Sequence, residues 1–145
     1  MTIEPYSEKY FLQVVSLIEN FHAEAVGEYD DMFDKNSVIE TIKNSDPSNA
    51  FLLVVDGVCQ GLLFGVVFNS MLNGRKIFQE IIWYVNAPFR RYGVKLLKEA
   101  EKILKSSGIG IIIMAVLENS KTVKLKRFYE RLGYKPMEVH YVRSL

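Results

Sequence analysis

The chain has 145 residues, of which 49% are hydrophobic and 24% are charged, a balance typical of a globular protein. Its 18 basic and 17 acidic side chains give a formal charge of +1, which excludes a general nucleic-acid coat, because such a coat needs surplus lysine and arginine along one face. Cys59 is the only cysteine, which excludes an internal disulfide and a zinc site built on cysteine pairs. No apolar run approaches the ~20 residues that cross a bilayer, and residues 1–5 lack the pattern of a secretory signal. We therefore expect one domain over residues 1–145 in the cytoplasm, with no membrane or nucleic-acid partner.

The first third of the sequence predicts two helices. Apolar residues recur at helical spacing from Tyr10 to Ala25, and Ser7 is placed to cap this helix. A shorter helix carries Val38, Ile39 and Ile42 and is stopped by Asp46-Pro47. Acidic residues gather where the first helix passes into the second: Glu24, Glu28, Asp30, Asp31 and Asp34.

The middle third predicts three antiparallel strands. Apolar runs at Ala50–Val55, Val58–Phe68 and Lys76–Val85 are separated by Asp56-Gly57 and Asn73-Gly74, dipeptides typical of tight hairpin turns. The runs are largely apolar on both faces, so we expect both sides of the sheet to be covered.

The last third predicts a helix, a strand, a helix and a final strand. An apolar stripe from Leu96 to Leu104 indicates the first helix, and Gly108 lies where a helix ends in a left-handed residue. Ile109–Val116 is the expected strand, parallel to the strand before the helix because the connection is a crossover. Val123–Leu132 is the last helix, and Tyr134–Val142 the last strand. The order predicts an α/β domain with a mixed sheet.

The loop before the third helix carries the residues best suited to chemistry, Phe89-Arg90-Arg91-Tyr92-Gly93-Val94-Lys95. Unpaired N–H groups and the helix dipole attract phosphate at a helix start. Gly93 lets a ligand approach the backbone, and the two arginines suit a pyrophosphate. The alternative is an ordinary helix start with solvated arginines.

This segment resembles the acetyl-CoA-binding motif of the GCN5-related N-acetyltransferases (the GNAT family), Arg/Gln-x-x-Gly-x-Gly/Ala. A second resemblance lies in Phe128-Tyr129-Glu130-Arg131-Leu132-Gly133-Tyr134, and together they cover nearly the whole chain. They imply a GNAT-like fold: a mixed, mostly antiparallel sheet with a splayed, parallel central strand pair and helices on both faces. Lys95 departs from the motif, where the family has a small residue, and we expect its long side chain to point outward.

The resemblance also implies where the cosubstrate, acetyl-CoA, binds. The pantetheine arm would lie between Trp83–Val85 and Ile112–Val116, with backbone donors near Tyr84 stabilising the oxyanion. Asn119 lies upstream of Thr122, the position that matches the family's asparagine, and would reach the pantetheine from a lengthened loop. The implied cofactor-binding residues are Trp83, Tyr84, Val85, Arg90, Arg91, Tyr92, Gly93, Val94, Lys95 and Asn119. We expect no metal, because two isolated histidines do not make a metal site.

Glu80 is the candidate general base. Strand alternation puts Glu80 on one face with Phe78, Ile82 and Tyr84, and this apolar setting should raise the pKa of its carboxyl toward a useful range. Its position also resembles that of the glutamate that serves as base in some family members. The alternative is a structural carboxylate paired across the sheet with Arg75 or a neighbouring lysine.

Tyr129 is the candidate general acid. It matches the tyrosine that, in the family, protonates the departing thiolate of coenzyme A. By its helical spacing alone, with Leu125 and Leu132, it would be a core tyrosine.

The sequence thus predicts an N-acetyltransferase in which a primary amine, of a small molecule or a peptide, directly attacks acetyl-CoA in a ternary complex. The acidic stretch before the second helix would favour a cationic amine, unless it is simply a solvated loop. The alternative function is a non-catalytic GNAT-fold module that binds acyl-CoA or a protein partner. A homodimer is possible, because the family often dimerises.

Overall fold

The computed structural model describes residues 1–117 and 121–145, which form five strands in one sheet with the order β1-β2-β3-β4-β5. Neighbouring strands from β1 to β4 are antiparallel, and β4 and β5 are parallel. This is the mixed, mostly antiparallel sheet that the sequence predicts, with β1 as an added edge strand. The strands are β1 Thr2–Pro5, β2 Ala50–Val55, β3 Val58–Asn69, β4 Lys76–Val85 and β5 Ile111–Ile113.

Four α-helices surround the sheet: α1 Phe11–Phe21, α2 Lys35–Asn44, α3 Gly93–Ser106 and α4 Thr122–Arg131. Helix α1 continues as a π-helical turn, His22–Val26, and 3-10 turns lie at Glu8–Tyr10, Pro47–Asn49 and Ala87–Tyr92. The expected Ser7 cap is wrong, because a 3-10 turn separates Ser7 from α1 and its side chain makes no capping bond. No helix in the described ranges is long and apolar enough to span a membrane.

The sheet separates two hydrophobic clusters, so helices cover both faces as predicted. Alternate residues of β2 divide between them, with Leu52 and Val54 facing α1, and Phe51 and Leu53 facing α3. The α1 cluster also contains Val14, Leu17, Leu62, Ile82 and Tyr84. The α3 and α4 cluster also contains Leu63, Phe78, Val85, Leu96, Leu97, Ala100 and Tyr129.

The first hairpin turn forms as predicted and the second does not. Asp56 and Gly57 both have positive φ, 50° and 78°, as a two-residue turn of this type requires. At the second turn Gly74 has a φ of 72°, but the Asn73 side chain accepts the N–H of Arg75, and the strands are joined by a longer loop. Ser70 N–H bonds to the Arg75 carbonyl at 2.8 Å to close it.

The C-terminal part contains less strand than the sequence predicts. The expected strand Ile109–Val116 is reduced to Ile111–Ile113, and the expected strand Tyr134–Val142 is absent. Pro136 lacks an N–H for a ladder, and no described strand pairs with this segment. The side chain of Tyr134 instead packs inward and donates a hydrogen bond to Glu101 on α3.

An extra residue interrupts β4 in the middle of the sheet. Glu80 pairs with Gly65 and Ile82 pairs with Phe64, which leaves Ile81 as a β-bulge. The pairing of β4 with β5 ends one residue before Glu80, at Gln79 and Ile113. The parallel strands therefore separate beyond this point, as the resemblance implies.

The bulge requires glycine on the neighbouring strand. A Cβ at Gly65 would lie 2.4 Å from the carbonyl oxygen of Gln79 and 2.4 Å from the Phe78 ring.

We expect Gly65→Ala to lower the free energy of unfolding by at least about 2 kcal/mol, because backbone and core must both move. Urea denaturation measures this. Gly27→Ala is the control, since its Cβ would lie 3.5 Å from the His22 carbonyl oxygen, an ordinary contact, and equal stability of the two variants would contradict the assignment.

Candidate active site

Glu80 lies at the point where β4 and β5 separate. The bulge reverses the alternation of β4, so Ile82 and Tyr84 pack toward α1, whereas Phe78 and Val85 pack toward α3. The expectation that Glu80 shares a face with Ile82 and Tyr84 is therefore wrong. Its side chain is 8% exposed, and its Oε2 accepts the N–H of Ala115 at 2.8 Å, across the gap beyond β5.

The environment of Glu80 suits a base that works near neutral pH. Burial raises the pKa of its carboxyl to about 7, and the hydrogen bond from Ala115 opposes this shift only in part. The alternative partner from the sequence, Arg75, donates instead to the carbonyl of Gly110 at 2.9 Å. The carboxyl thus has an apolar setting and one backbone donor.

Tyr129 reaches the same backbone residue from α4. It is 6% exposed, and its hydroxyl donates to the carbonyl of Ala115 at 3.2 Å. Burial, the nearby Glu80 carboxylate and Tyr134 raise the pKa of Tyr129 well above its usual range, so the phenol stays protonated. The two candidate catalytic residues therefore meet at the N–H and C=O of Ala115.

An aromatic cluster adjoins this meeting point. The ring of Trp83 lies 5.9 Å from the rings of both Phe128 and Tyr129, measured between centroids. The Trp83 Nε1 is buried and has no hydrogen-bond partner in the structure of residues 1–117 and 121–145. Orphaned buried donors are uncommon in folded proteins, so this N–H is available to a polar atom of a ligand.

The N-terminus of α3 lies beside Trp83. Tyr92, the residue that precedes the helix, provides no side-chain cap, so the first N–H groups of α3 are not capped in this way. Gly93 is buried with a φ of −56°, and a Cβ there would meet Trp83 at an ordinary 3.6 Å. Neither backbone conformation nor packing requires glycine here. Val94 is half-buried, and Lys95 is exposed, in the direction expected.

The motif arginines have partners within the chain. Arg90 forms an ion pair with Glu24 and donates from Nε to the carbonyl of Val85 at 3.3 Å. Arg91 donates to the hydroxyl of Tyr92 at 2.8 Å. The structure therefore places Arg90 against the end of β4, where it braces the strand that carries Tyr84 and Val85.

Glu24 contacts two of the predicted site residues, Tyr84 and Arg90, and the sequence did not indicate these contacts. It lies in the π-helical turn after α1, a feature that often marks functional sites. Its Oε1 accepts the Tyr84 hydroxyl at 2.7 Å, and this bond, with the charge of Arg90, holds the pKa of Glu24 below its usual range. The only signal was the acidic stretch, and three of its members have internal partners: Glu24 binds Arg90, Asp34 caps α2, and Asp30 accepts the N–H of Met32.

A cavity of about 370 Å³ lies on the other face of the bulge, between α1, α2 and the sheet. Ile81 and Ile82 belong to its wall, so the bulge places the cavity next to the strand segment that carries Glu80. Its apolar lining includes Val14, Ile18, Val38, Ile42 and Phe64.

The remaining predictions concern Asn119 and metals. Asn119 lies outside the described residues. Within the parts of the chain that the structure describes, no group of three or more His, Cys, Asp or Glu side chains could hold a metal. The Nε2 of His22 lies 2.7 Å from the carbonyl oxygen of Asp30, and that of His140 lies 3.0 Å from Glu138 Oε1.

Comparison with known families identifies the class of protein. The model described as the acetyltransferase (GNAT) family matches residues 14–134, which is most of the chain. The chain therefore belongs to the GNAT family of acetyltransferases. A search of curated proteins finds no match.

Solved structures share the fold at low sequence identity. An aminoglycoside acetyltransferase from an uncultured soil metagenomic sample is 18% identical, with a TM-score of 0.75 over 99% of this chain and 95% of that chain. A ribosomal-protein-alanine N-acetyltransferase from Brucella melitensis biovar Abortus 2308 is 13% identical, with a TM-score of 0.76 over 100% of both chains. AAC(6')-Iy, solved with the bisubstrate analogue CoA-S-monomethyl-acetylneamine, is 16% identical, with a TM-score of 0.72 over 99% of this chain and 97% of that chain.

The raised pKa of Glu80 predicts a pH-dependent stability. The folded state keeps a proton that the unfolded chain releases above its ordinary pKa of 4.5, so stability is lost as the pH rises from 4.5 to about 7. We expect the free energy of unfolding of the wild type, relative to Glu80→Gln, to fall by about 3 kcal/mol between ~pH 4 and ~pH 8. Denaturant titrations at several pH values measure the difference. Glu130→Gln, at an exposed position of α4, is the matched control, and a pH-independent difference for Glu80→Gln would contradict the burial argument.

Proposed function

We propose that this protein transfers the acetyl group of acetyl-CoA to a primary amine by direct attack in a ternary complex. The observation that carries the proposal is the meeting of Glu80 and Tyr129 at Ala115, where β4 and β5 separate. A carboxyl with a pKa near 7 and a phenol that stays protonated are a suitable base and acid for this reaction.

The residues around the strand gap fit acetyl-CoA, which supplies the thioester under attack. The N–H groups of Val94 and Lys95 in the first turn of α3 suit a pyrophosphate, whereas that of Gly93 bonds to the Arg90 carbonyl. The orphaned Trp83 Nε1 suits a carbonyl of the pantetheine arm. In the described residues, β4 does not pair with β5 between Ile82 and Val85. The backbone of this segment therefore suits hydrogen bonding to the pantetheine arm and to an oxyanion.

Glu80 acts as the base in this proposal. Its carboxylate accepts a proton from the amine, directly or through one water, because an alkylamine with a pKa near ~10 is largely protonated at neutral pH. The amine nitrogen then forms a bond to the acetyl carbon as the carbon–sulfur bond breaks, and the nitrogen releases its second proton to solvent as it becomes an amide. No covalent intermediate on the enzyme is needed, so positioning and charge stabilisation supply most of the acceleration.

Tyr129 supplies the proton for the departing thiolate. The Glu80 carboxylate is one of the charges that raise the pKa of Tyr129. Once Glu80 has accepted the amine proton it is neutral, and this charge no longer opposes ionisation of the phenol. The base thus makes the acid stronger at the moment when the thiolate leaves, and proton exchange with solvent restores both groups.

The second candidate function is a non-catalytic module that binds a protein partner. The engagement of Arg90 by Glu24 favours it, because this motif arginine is held within the chain and not turned toward a pyrophosphate. Release of free thiol from acetyl-CoA in the presence of an amine distinguishes the enzyme from the binding module.

The role of Tyr129 predicts a selective loss of turnover. Tyr129→Phe should lower kcat about 100-fold or more while the Kd for coenzyme A stays within about threefold, because only the proton donor is removed. Thiol release and calorimetry measure the two quantities. Tyr134→Phe is the matched control, since it removes a hydroxyl from the same aromatic cluster, one that bonds to Glu101 instead. A kcat for Tyr129→Phe within twofold of the wild type would remove Tyr129 from this role.

A substitution of Gly93 should change the affinity for coenzyme A without lowering the stability of the fold. Gly93→Ala has room for its Cβ and a helical φ, so we expect unchanged stability or a gain of up to about 1 kcal/mol. The same methyl group should lower the affinity for coenzyme A at least about tenfold by blocking close approach to the backbone. Thermal unfolding and calorimetry test both. Lys95→Ala at the exposed motif position is the control, with an affinity within about threefold of the wild type, and unchanged affinity of Gly93→Ala would contradict the binding assignment.

A further inference from the structure

We propose that the cavity between α1, α2 and the sheet is the acceptor site and takes a primary amine carried on an apolar body. The identity of the ligand follows from the cavity wall alone, whereas its acetylation rests on the proposed function. The volume of about 370 Å³ is within the range of sites that hold small organic molecules.

The apolar wall of the cavity comes from every element around it. Val14 and Ile18 of α1 face Val38 and Ile42 of α2, and Phe64 of β3 lies at the sheet. Burial of an apolar ligand against these side chains is favourable because it removes hydrocarbon surface from water.

Four polar side chains in the wall, those of Asp34, Thr41, Ser45 and Asp46, already make hydrogen bonds within the chain. Asp34 accepts the N–H groups of Asn36 and Ser37 as the cap of α2. The hydroxyls of Thr41 and Ser45 donate to backbone carbonyls one helical turn earlier, at 2.8 and 2.5 Å. Asp46 accepts from the backbone and the side chain of Ser48.

The apolar part of the wall disfavours a polyhydroxylated ligand. Sugar hydroxyls placed against Val14, Ile18 and Val38 would give up hydrogen bonds to water and find no polar atom on these side chains. An amine on a hydrocarbon or aromatic body avoids this loss, because only its amino group is polar.

The bulge positions the amino group of such a ligand. Ile81 and Ile82 form the part of the wall that belongs to β4, and Glu80 precedes them in the chain. In this proposal the apolar body lies under α2, and the amine lies at the Ile81 and Ile82 end of the cavity, next to the separated strands. The cavity thus selects the acceptor by its apolar body, and the acetyl transfer takes place at its amino group.

Binding of two small primary amines tests the proposal without acetyl-CoA. Phenethylamine and glucosamine are of similar size, but only the second is polyhydroxylated. We expect ligand-observed NMR and calorimetry to detect phenethylamine on the full chain with at least tenfold higher affinity than glucosamine. Equal affinities, or tighter binding of glucosamine, would overturn the proposal.

Variants of α2 locate the site. Val38→Phe fills the cavity and Val38→Ser makes its wall polar, so both should lower the affinity for phenethylamine at least tenfold. Ile39→Phe is the matched control, because Ile39 is the next residue of α2 and does not belong to the cavity wall; its affinity should stay within twofold. Val38 is half-buried, and thermal unfolding confirms that each variant is folded. Unchanged affinity in both Val38 variants would overturn the proposal.

Thiol release then separates this proposal from the proposed function. Selective, Val38-dependent binding of phenethylamine without thiol release would contradict acetyl transfer and leave the assignment of the cavity supported. Thiol release that prefers glucosamine or an aminoglycoside over phenethylamine would support acetyl transfer and overturn the apolar acceptor.

Discussion

The separation of β4 from β5 is the constraint on which the site depends. Over residues 1–117 and 121–145, three pairs join the strands, from Ile77 with Ile111 to Gln79 with Ile113. The bulge at Ile81 follows immediately and is possible because Gly65 has no side chain to strike the Gln79 carbonyl. In the described residues, the edge of β4 beyond Gln79 therefore has no partner strand, although the pairing with β5 could otherwise have continued along it.

Side-chain hydrogen bonds connect the two strands where the backbone pairing of β4 with β5 ends. The Ala115 N–H bonds to Glu80 and its carbonyl to Tyr129, so two ionisable groups are held at one peptide residue instead of a next strand pair. Beyond them, Glu24 and Arg90 hold the end of β4 against the π-helical turn after α1. The same separation explains why burial, hydrogen bonding and electrostatic coupling are concentrated here: Glu80 and Tyr129 are both buried beside the gap, and neutralisation of Glu80 favours ionisation of Tyr129.

Local patterns predicted most of the fold, but not the features that require tertiary contacts. Helical spacing and the Asp56-Gly57 turn gave correct elements, since those signals are carried by neighbouring residues. The bulge at Ile81 has no local signal, because its determinant, Gly65, lies on another strand; strict alternation therefore assigned Ile82 and Tyr84 to the wrong face. The segment Tyr134–Val142 has strand-forming residues, but no described strand pairs with it. For the site, the family resemblance correctly brought Glu80 and Tyr129 together, whereas the roles of Glu24 and the cavity depend on contacts between distant elements.

Backbone amide exchange with and without coenzyme A measures the central claim most directly, namely that the gap between the separated strands holds the thioester arm. The account predicts that saturating coenzyme A slows exchange at the end of β4, over Trp83–Val85, and at the start of α3, over Gly93–Lys95, while exchange in α2 stays unchanged. Protection confined to α2 or to the outer strands β1 and β2, or no change anywhere at saturation, would contradict it.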